Sequence, residues 1–140
     1  MDEAVSKALA ITPASPARAR TIDITTIGAK TGRPRRIEIW FYRVASRIYL
    51  SGLPSRPSWY ANLLANPHFT VHLKNGITAD LAATAVPITD EATRRKIFTE
   101  IVADLNQPHN PGRITQPTDV EDWVAGSRLV EVLFDDPAPQ

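Results

Sequence analysis

The chain contains no cysteine. That excludes a disulfide framework, thiolate metal ligation and a cysteine nucleophile, and it suits a reducing cytoplasm. No apolar stretch approaches the ~18 residues of a membrane span. The opening Met1-Asp2-Glu3-Ala4 is acidic and has neither the basic start nor the apolar run of a secretory leader, so a cytoplasmic location is expected. No internal repeat, P-loop spacing or nucleophile elbow is present. The three histidines, His68, His72 and His109, stand in no carboxylate-rich pattern, and no metal site is expected.

What is present is one domain's worth of chain, 140 residues, with its charge unevenly placed. Residues 1–60 carry ten Lys/Arg against four Asp/Glu, whereas residues 61–140 carry six against eleven. The basic residues are therefore local to the first half. The basic stretch is short and the remainder acidic, which argues against the broad positive face of a nucleic-acid module.

Asp2 to Leu9 can form two helical turns, broken by the segment Thr12-Pro13-Ala14-Ser15-Pro16. Residues 1–20 are read as an N-terminal arm outside the core, residues 21–136 as a single barrel domain and residues 137–140 as a tail. The β-branched run from Arg20 to Ile27 predicts a first strand, and Arg36 to Val44 a second, with Ile37, Ile39 and Phe41 on one face. Ala45-Ser46-Arg47 turns into a third strand, Ile48 to Ser51. Ser55-Arg56-Pro57-Ser58 opens a short helix, Trp59 to Ala65, that Asn66-Pro67 ends. His68 to Lys74 and Ile77 to Val86 form a hairpin through Asn75-Gly76. A long helix capped by Thr89 or Asp90 runs to Leu105, a short one capped by Thr118 or Asp119 ends at Gly126, and Arg128 to Phe134 is the last strand. About six hairpin-linked strands with helices at the edge make a mainly β fold, an antiparallel barrel, and not a βαβ dinucleotide fold. The Pro-rich stretch Gln107 to Pro117 is long for a connection and has the character of a lid.

Two segments carry chemistry. Gly28-Ala29-Lys30-Thr31-Gly32-Arg33-Pro34-Arg35-Arg36 is a turn with two glycines, a hydroxyl and four cations. Backbone N–H groups in such turns form anion-binding concavities, and arginine adds forked donors to phosphate. The same residues also fit a solvated hairpin turn whose charges aid solubility. In the second segment, Pro57 to Pro67, Trp59 and Asn62 share a helical face, where an indole can pack on a ring system and an amide can bond its polar edge. Alternatively, Trp59 and Leu63 are core and Asn62 bonds locally.

Taken together, the Thr25 to Arg35 and Pro57 to Pro67 segments resemble the deazaflavin-dependent nitroreductase and quinone reductase family in content, order and separation. The resemblance implies a split β-barrel of the flavin-reductase and pyridoxamine-phosphate-oxidase kind. It also implies reduced 8-hydroxy-5-deazaflavin coenzyme (F-420) as hydride donor to quinones, nitroaromatics or activated double bonds. By position, Lys30 and Arg35 match the residues that grip the coenzyme's phosphate-bearing tail, and Thr31, Arg33 and Arg36 complete the basic turn. Trp40, Ser51, Gly52, Leu53, Ser58, Trp59 and Asn62 match the wall around the deazaflavin ring. The family usually has a second cation where this chain has Ala29, and an Asn-Pro pair where it has Ile37 and Glu38. Tyr42, Tyr49, Tyr60 and Ser51 are the candidate proton donors. Two other readings stand beside this one: a flavin mononucleotide (FMN) enzyme on the same fold, and a non-catalytic module holding a hydrophobic ligand. The expected partner is a small-molecule acceptor, the expected state a monomer or homodimer, and the arm leaves room for peripheral membrane contact.

Overall fold

The β-branched run after Arg20 alternates as a half-buried strand does, with Ile22, Ile24 and Thr26 buried between half-buried neighbours. In the computed structural model, which describes residues 1–108 and 118–136, this run is β1 (Thr21–Ile27). It is followed by β2 (Pro34–Val44), β3 (Arg47–Ser51), β4 (His68–Leu73), β5 (Ala79–Pro87) and β6 (Leu129–Phe134). All neighbours pair antiparallel, and the sheet closes in the order β1-β2-β3-β6-β5-β4. Closure leaves no free sheet edge among the six strands.

Two cores result. Ile22, Ile24, Phe41, Leu50, Val71 and Val130 fill the barrel. Tyr42, Tyr49 and Leu129 instead meet Phe98, Ile101 and Leu105 of α4 (Glu91–Leu105) and Trp123 of α5 (Val120–Gly126). Asp90 caps α4 through the Thr93 N–H, and Asp119 caps α5. Arg94 fastens the two helices together. Its guanidinium donates to the carbonyls of Val124 at 2.8 Å and Ser127 at 2.6 Å, satisfying acceptors at the end of α5.

The N-terminal segment is not the loose arm that its sequence suggests. Val5 and Leu9 of α1 (Glu3–Leu9) and Ile11 after it are buried members of the barrel core. Spaced four apart, Val5 and Leu9 form one apolar stripe, and covering the barrel removes that stripe from water. Arg20, which ends the unanticipated α2 (Ala17–Arg20), is 1 % exposed. Its guanidinium pairs with Asp104 of α4 and donates to the carbonyls of Thr12, Pro13 and Ser15, locking the segment against α4. The apolar side chains that a membrane contact through this segment would use are already in the core. Among the described residues no helix is long and apolar enough to cross a membrane.

The strand and helix expectations otherwise hold to within two residues at each end. The proposed lid falls mostly on residues 109–117, with His109, which lie outside the described residues.

Candidate anion-binding cleft

Strand register decides which cations of the basic turn can act together. Arg35 pairs with Thr26 and Arg36 with Thr25, so consecutive arginines face opposite sides of the sheet. Thr26 is buried and inward, so Arg35 and, two residues on, Ile37 stand on its side of the sheet, at the end of the barrel. Arg36 stands on the outer face and donates from Nε to Asp23 at 2.9 Å. Lys74 bridges Asp23, at 2.7 Å, and Glu38 on that same outer face. Glu38 is thereby paired and directed away from the cleft.

The β1–β2 turn is closed by two backbone bonds of 2.8 Å, Gly28 N–H to the Arg33 carbonyl and Gly32 N–H to the Gly28 carbonyl. Gly32 has φ +67, a left-handed conformation that glycine adopts without a Cβ clash. A Cβ on Gly28 would lie 2.5 Å from the Thr31 hydroxyl oxygen, which accepts from the Arg33 N–H inside the turn. The turn is therefore compact because position 28 has no side chain.

Helix α3 (Ser58–Ala65) faces this turn and pins it. Asn62, 8 % exposed, accepts from the Ala29 N–H at 2.9 Å and donates from Nδ2 to the Thr26 hydroxyl at 3.0 Å. Its amide holds the turn against the helix, and one N–H has no partner among the described residues. Between turn and helix lies a cleft of about 610 Å³ whose lining includes Lys30, Thr31, Arg35, Ile37, Arg56, Ser58, Trp59 and Asn62. Lys30, Arg35 and Arg56 are exposed and form no ion pair among the described residues. No carboxylate among the described residues lines the cleft. Trp59 is at once a wall of the cleft and part of the barrel core, edge-on to Tyr60 with ring centroids 6.0 Å apart.

Six of the residues singled out from the sequence thus come together: Lys30, Thr31, Arg35, Ser58, Trp59 and Asn62. The others do not line the cleft. Arg33 closes the turn through its backbone, and Arg36 is engaged with Asp23. Trp40 packs against the α4 core, with the Arg20 guanidinium 5.7 Å from its ring centroid. Ser51 is buried and donates to the Arg128 carbonyl, the Gly52 carbonyl accepts from the Ser127 hydroxyl at 2.7 Å, and Leu53 is 65 % exposed. None of the four candidate proton donors lines the cleft. Tyr42 and Tyr49 belong to the α4 core, where burial pushes the Tyr42 phenol up to about 12 and raises that of Tyr49. Tyr60 lies under the Arg128 guanidinium, 5.5 Å from its ring centroid. Arg56 and Ile37 are lining residues that the site reading omitted. In the sequence Arg56 has the look of a helix start alone, although it is a cation one residue before the Pro57 that opens α3.

A family model described as F420H(2)-dependent quinone reductase matches residues 14–111, well over half of the chain and including both the basic turn and α3. The chain belongs to that family. It is accordingly an oxidoreductase of the deazaflavin-dependent reductase class on the split β-barrel, with F-420 as its coenzyme. Among solved structures it is similar to a putative 5-nitroimidazole antibiotic resistance protein from Bacteroides thetaiotaomicron, at 11 % identity over 96 % of this chain and 81 % of that one, TM-score 0.65. A FAD-binding protein from Mesorhizobium loti is similar at 13 % identity over 97 % and 91 % of the two chains, TM-score 0.63. An F420 reductase matches at 14 % identity over 84 % and 88 %, TM-score 0.55. These three likenesses concern the fold. The residues of the cleft fit the coenzyme independently: cations with no ion pair among the described residues suit a phosphate-bearing tail, the side-chain-free Gly28 keeps the turn tight, and an indole flanks the space beside it.

Proposed function

We propose that this protein transfers a hydride from reduced coenzyme F-420 to a small organic acceptor, of the quinone, nitroaromatic or activated double-bond class. The observation that carries the reading is the carboxylate-free cleft with three open cations, on a turn that Asn62 fixes to α3. Lys30 and Arg35 would hold the phosphate of the tail, with Arg56 adding charge from the other side, while Trp59 and Ile37 supply apolar surface next to it.

When bound, the reduced coenzyme supplies the hydride. The chain supplies placement, and placing two reactants in contact can itself remove a large part of a barrier. A quinone that accepts a hydride also needs a proton to become a hydroquinone. No phenol or carboxylate among the described residues lines the cleft, so we assign that proton to solvent at its exposed rim. Tyr42 and Tyr49 belong to the other core and do not line the cleft.

The FMN reading rests on the likeness to the FAD-binding protein and would use the same cations for a shorter phosphate. The discriminating assay follows recovery of oxidised-deazaflavin absorbance when purified protein, reduced F-420 and one acceptor of each class are mixed. Turnover of at least one acceptor above the protein-free rate is expected. Rates equal to the protein-free control for all three would refute the proposed activity.

A further inference from the structure

Across the barrel from the basic turn, a second cavity of about 690 Å³ lies between α4 and the β2–β3 hairpin. It shares no lining residue with the cleft. Its volume falls within the range of ligand pockets. Eight residues of β2, ~26 Å of strand contour, separate Arg35 in the cleft from Arg43 on the rim of this cavity. The cavity is thus lined separately from the cations proposed to hold the coenzyme's phosphate.

The floor is made by two tyrosine rings, Tyr42 and Tyr49, and by the aliphatic Ile97 and Ile101, all buried. One wall is the 11–13 segment that Arg20 clamps in place. The charges around this floor are unequal. Asp104 is neutralised by Arg20, and Arg47 by Glu131 at 3.3 Å. Arg43 and Lys96 remain exposed with no ion pair among the described residues, against a single open carboxylate, Glu100. The Tyr42 phenol, pushed up by burial to about 12, stays a neutral hydrogen-bond donor at physiological pH. The hairpin at the rim is also strained: Ala45 and Ser46, neither of them glycine, have φ 50 and 66. Such strain concentrates at ligand clamps and switch regions.

We infer that this cavity binds a flat aromatic monoanion, its ring system on the Tyr42, Tyr49 and Ile101 floor and its carboxylate between Arg43 and Lys96. The buried floor offers an apolar surface to a ring system, and two open cations favour a negative over a positive head group. The site is independent of the proposed reductase activity and stands or falls without it.

The test is calorimetric titration of the full chain with 2-naphthoate and with 2-naphthylmethylammonium, which has a similar ring system and opposite charge. Micromolar binding of the naphthoate is expected, at least tenfold tighter than the ammonium. Arg43→Glu combined with Lys96→Glu, both exposed and therefore compatible with folding, should weaken it at least tenfold, whereas Lys30→Ala should leave it unchanged. In amide NMR spectra the naphthoate should shift Tyr42 to Ala45 and Lys96 to Ile101. Absence of binding at millimolar ligand, equal affinity for the ammonium, or indifference to the charge-reversed pair would each overturn the inference. So would loss of binding in Lys30→Ala, which would place the anion in the basic cleft instead.

Discussion

At the scale of single residues, Asn62 ties the basic turn to α3. The sequence placed it beside Trp59 on one helical face and left open whether it met a ligand or bonded locally. The structure commits its carbonyl and one N–H to Ala29 and Thr26, contacts 33 and 36 residues away that helical spacing does not reveal. Replacing it as Asn62→Leu leaves the buried Thr26 hydroxyl without its partner, a loss of about 1–3 kcal/mol, and returns the exposed Ala29 N–H to water. A fall in denaturation midpoint together with weaker coenzyme binding is expected, and an unchanged midpoint would show that the tether contributes nothing. The paired arginines teach a related lesson. Composition makes Arg35 and Arg36 equivalent, but the two-residue period of a strand separates them, one toward the cleft and the other toward Asp23.

At the scale of elements, the strands were legible because β-branched and aromatic residues alternate along them and glycine, proline and asparagine punctuate them. The role of α1 was not. Two turns with only Val5 and Leu9 on the apolar side read as an arm, since nothing local says that the barrel needs covering there. Leu9→Ala should cost about 2–5 kcal/mol, as removal of a buried leucine does, where an arm outside the core would lose almost nothing. Chemical denaturation of the two proteins decides it. The β2–β3 turn offers the opposite sign. Ser46, at φ 66 in a two-residue hairpin, occupies a position that glycine fills without strain. Ser46→Gly should therefore stabilise the protein, by about 1 kcal/mol from the left-handed penalty, read as a rise in melting temperature. A fall would mean that the serine side chain contributes more than its backbone costs.

At the scale of the whole molecule, the excess of basic residues in the first half is divided among separate places, with Arg43 and Arg47 at the second cavity. Lys30, Arg35 and Arg56 remain open at the cleft, Arg20 is buried as a clamp, and Arg36 joins an outer network with Asp23, Lys74 and Glu38. Charge counts along the chain could locate that excess but could not divide it. The outer network predicts a pH dependence. Its hydrogen bond from Lys74, outweighing the opposing effect of burial and helped by Arg36, holds the Asp23 carboxyl below its ordinary 3.8. Hydrogen bonds to Asp23 and then Glu38 hold the Lys74 ammonium above its ordinary 10.5. A lowered carboxyl contributes stability that is present above 3.8 and lost as pH falls through its folded value. A raised ammonium contributes stability that is present below 10.5 and lost as pH rises through its folded value. Lys74→Ala should therefore reduce stability across the neutral range and return Asp23 toward 3.8 by NMR titration; an Asp23 value unmoved by the substitution would show that the pairing is not formed in solution. Coenzyme affinity should be indifferent to Lys74, which stands outside the cleft, and that makes it the control for the central claim. Fluorescence titration of the parent, Lys30→Ala, Arg35→Ala and Lys74→Ala proteins with F-420, and of the parent with FMN, tests that claim most directly. The account predicts tighter binding of F-420 than of FMN by the parent, roughly tenfold to a hundredfold weaker F-420 binding when either cleft cation is removed, and parental affinity in Lys74→Ala. Equal or reversed preference for FMN, or Lys30→Ala and Arg35→Ala proteins that bind F-420 like the parent, would contradict it.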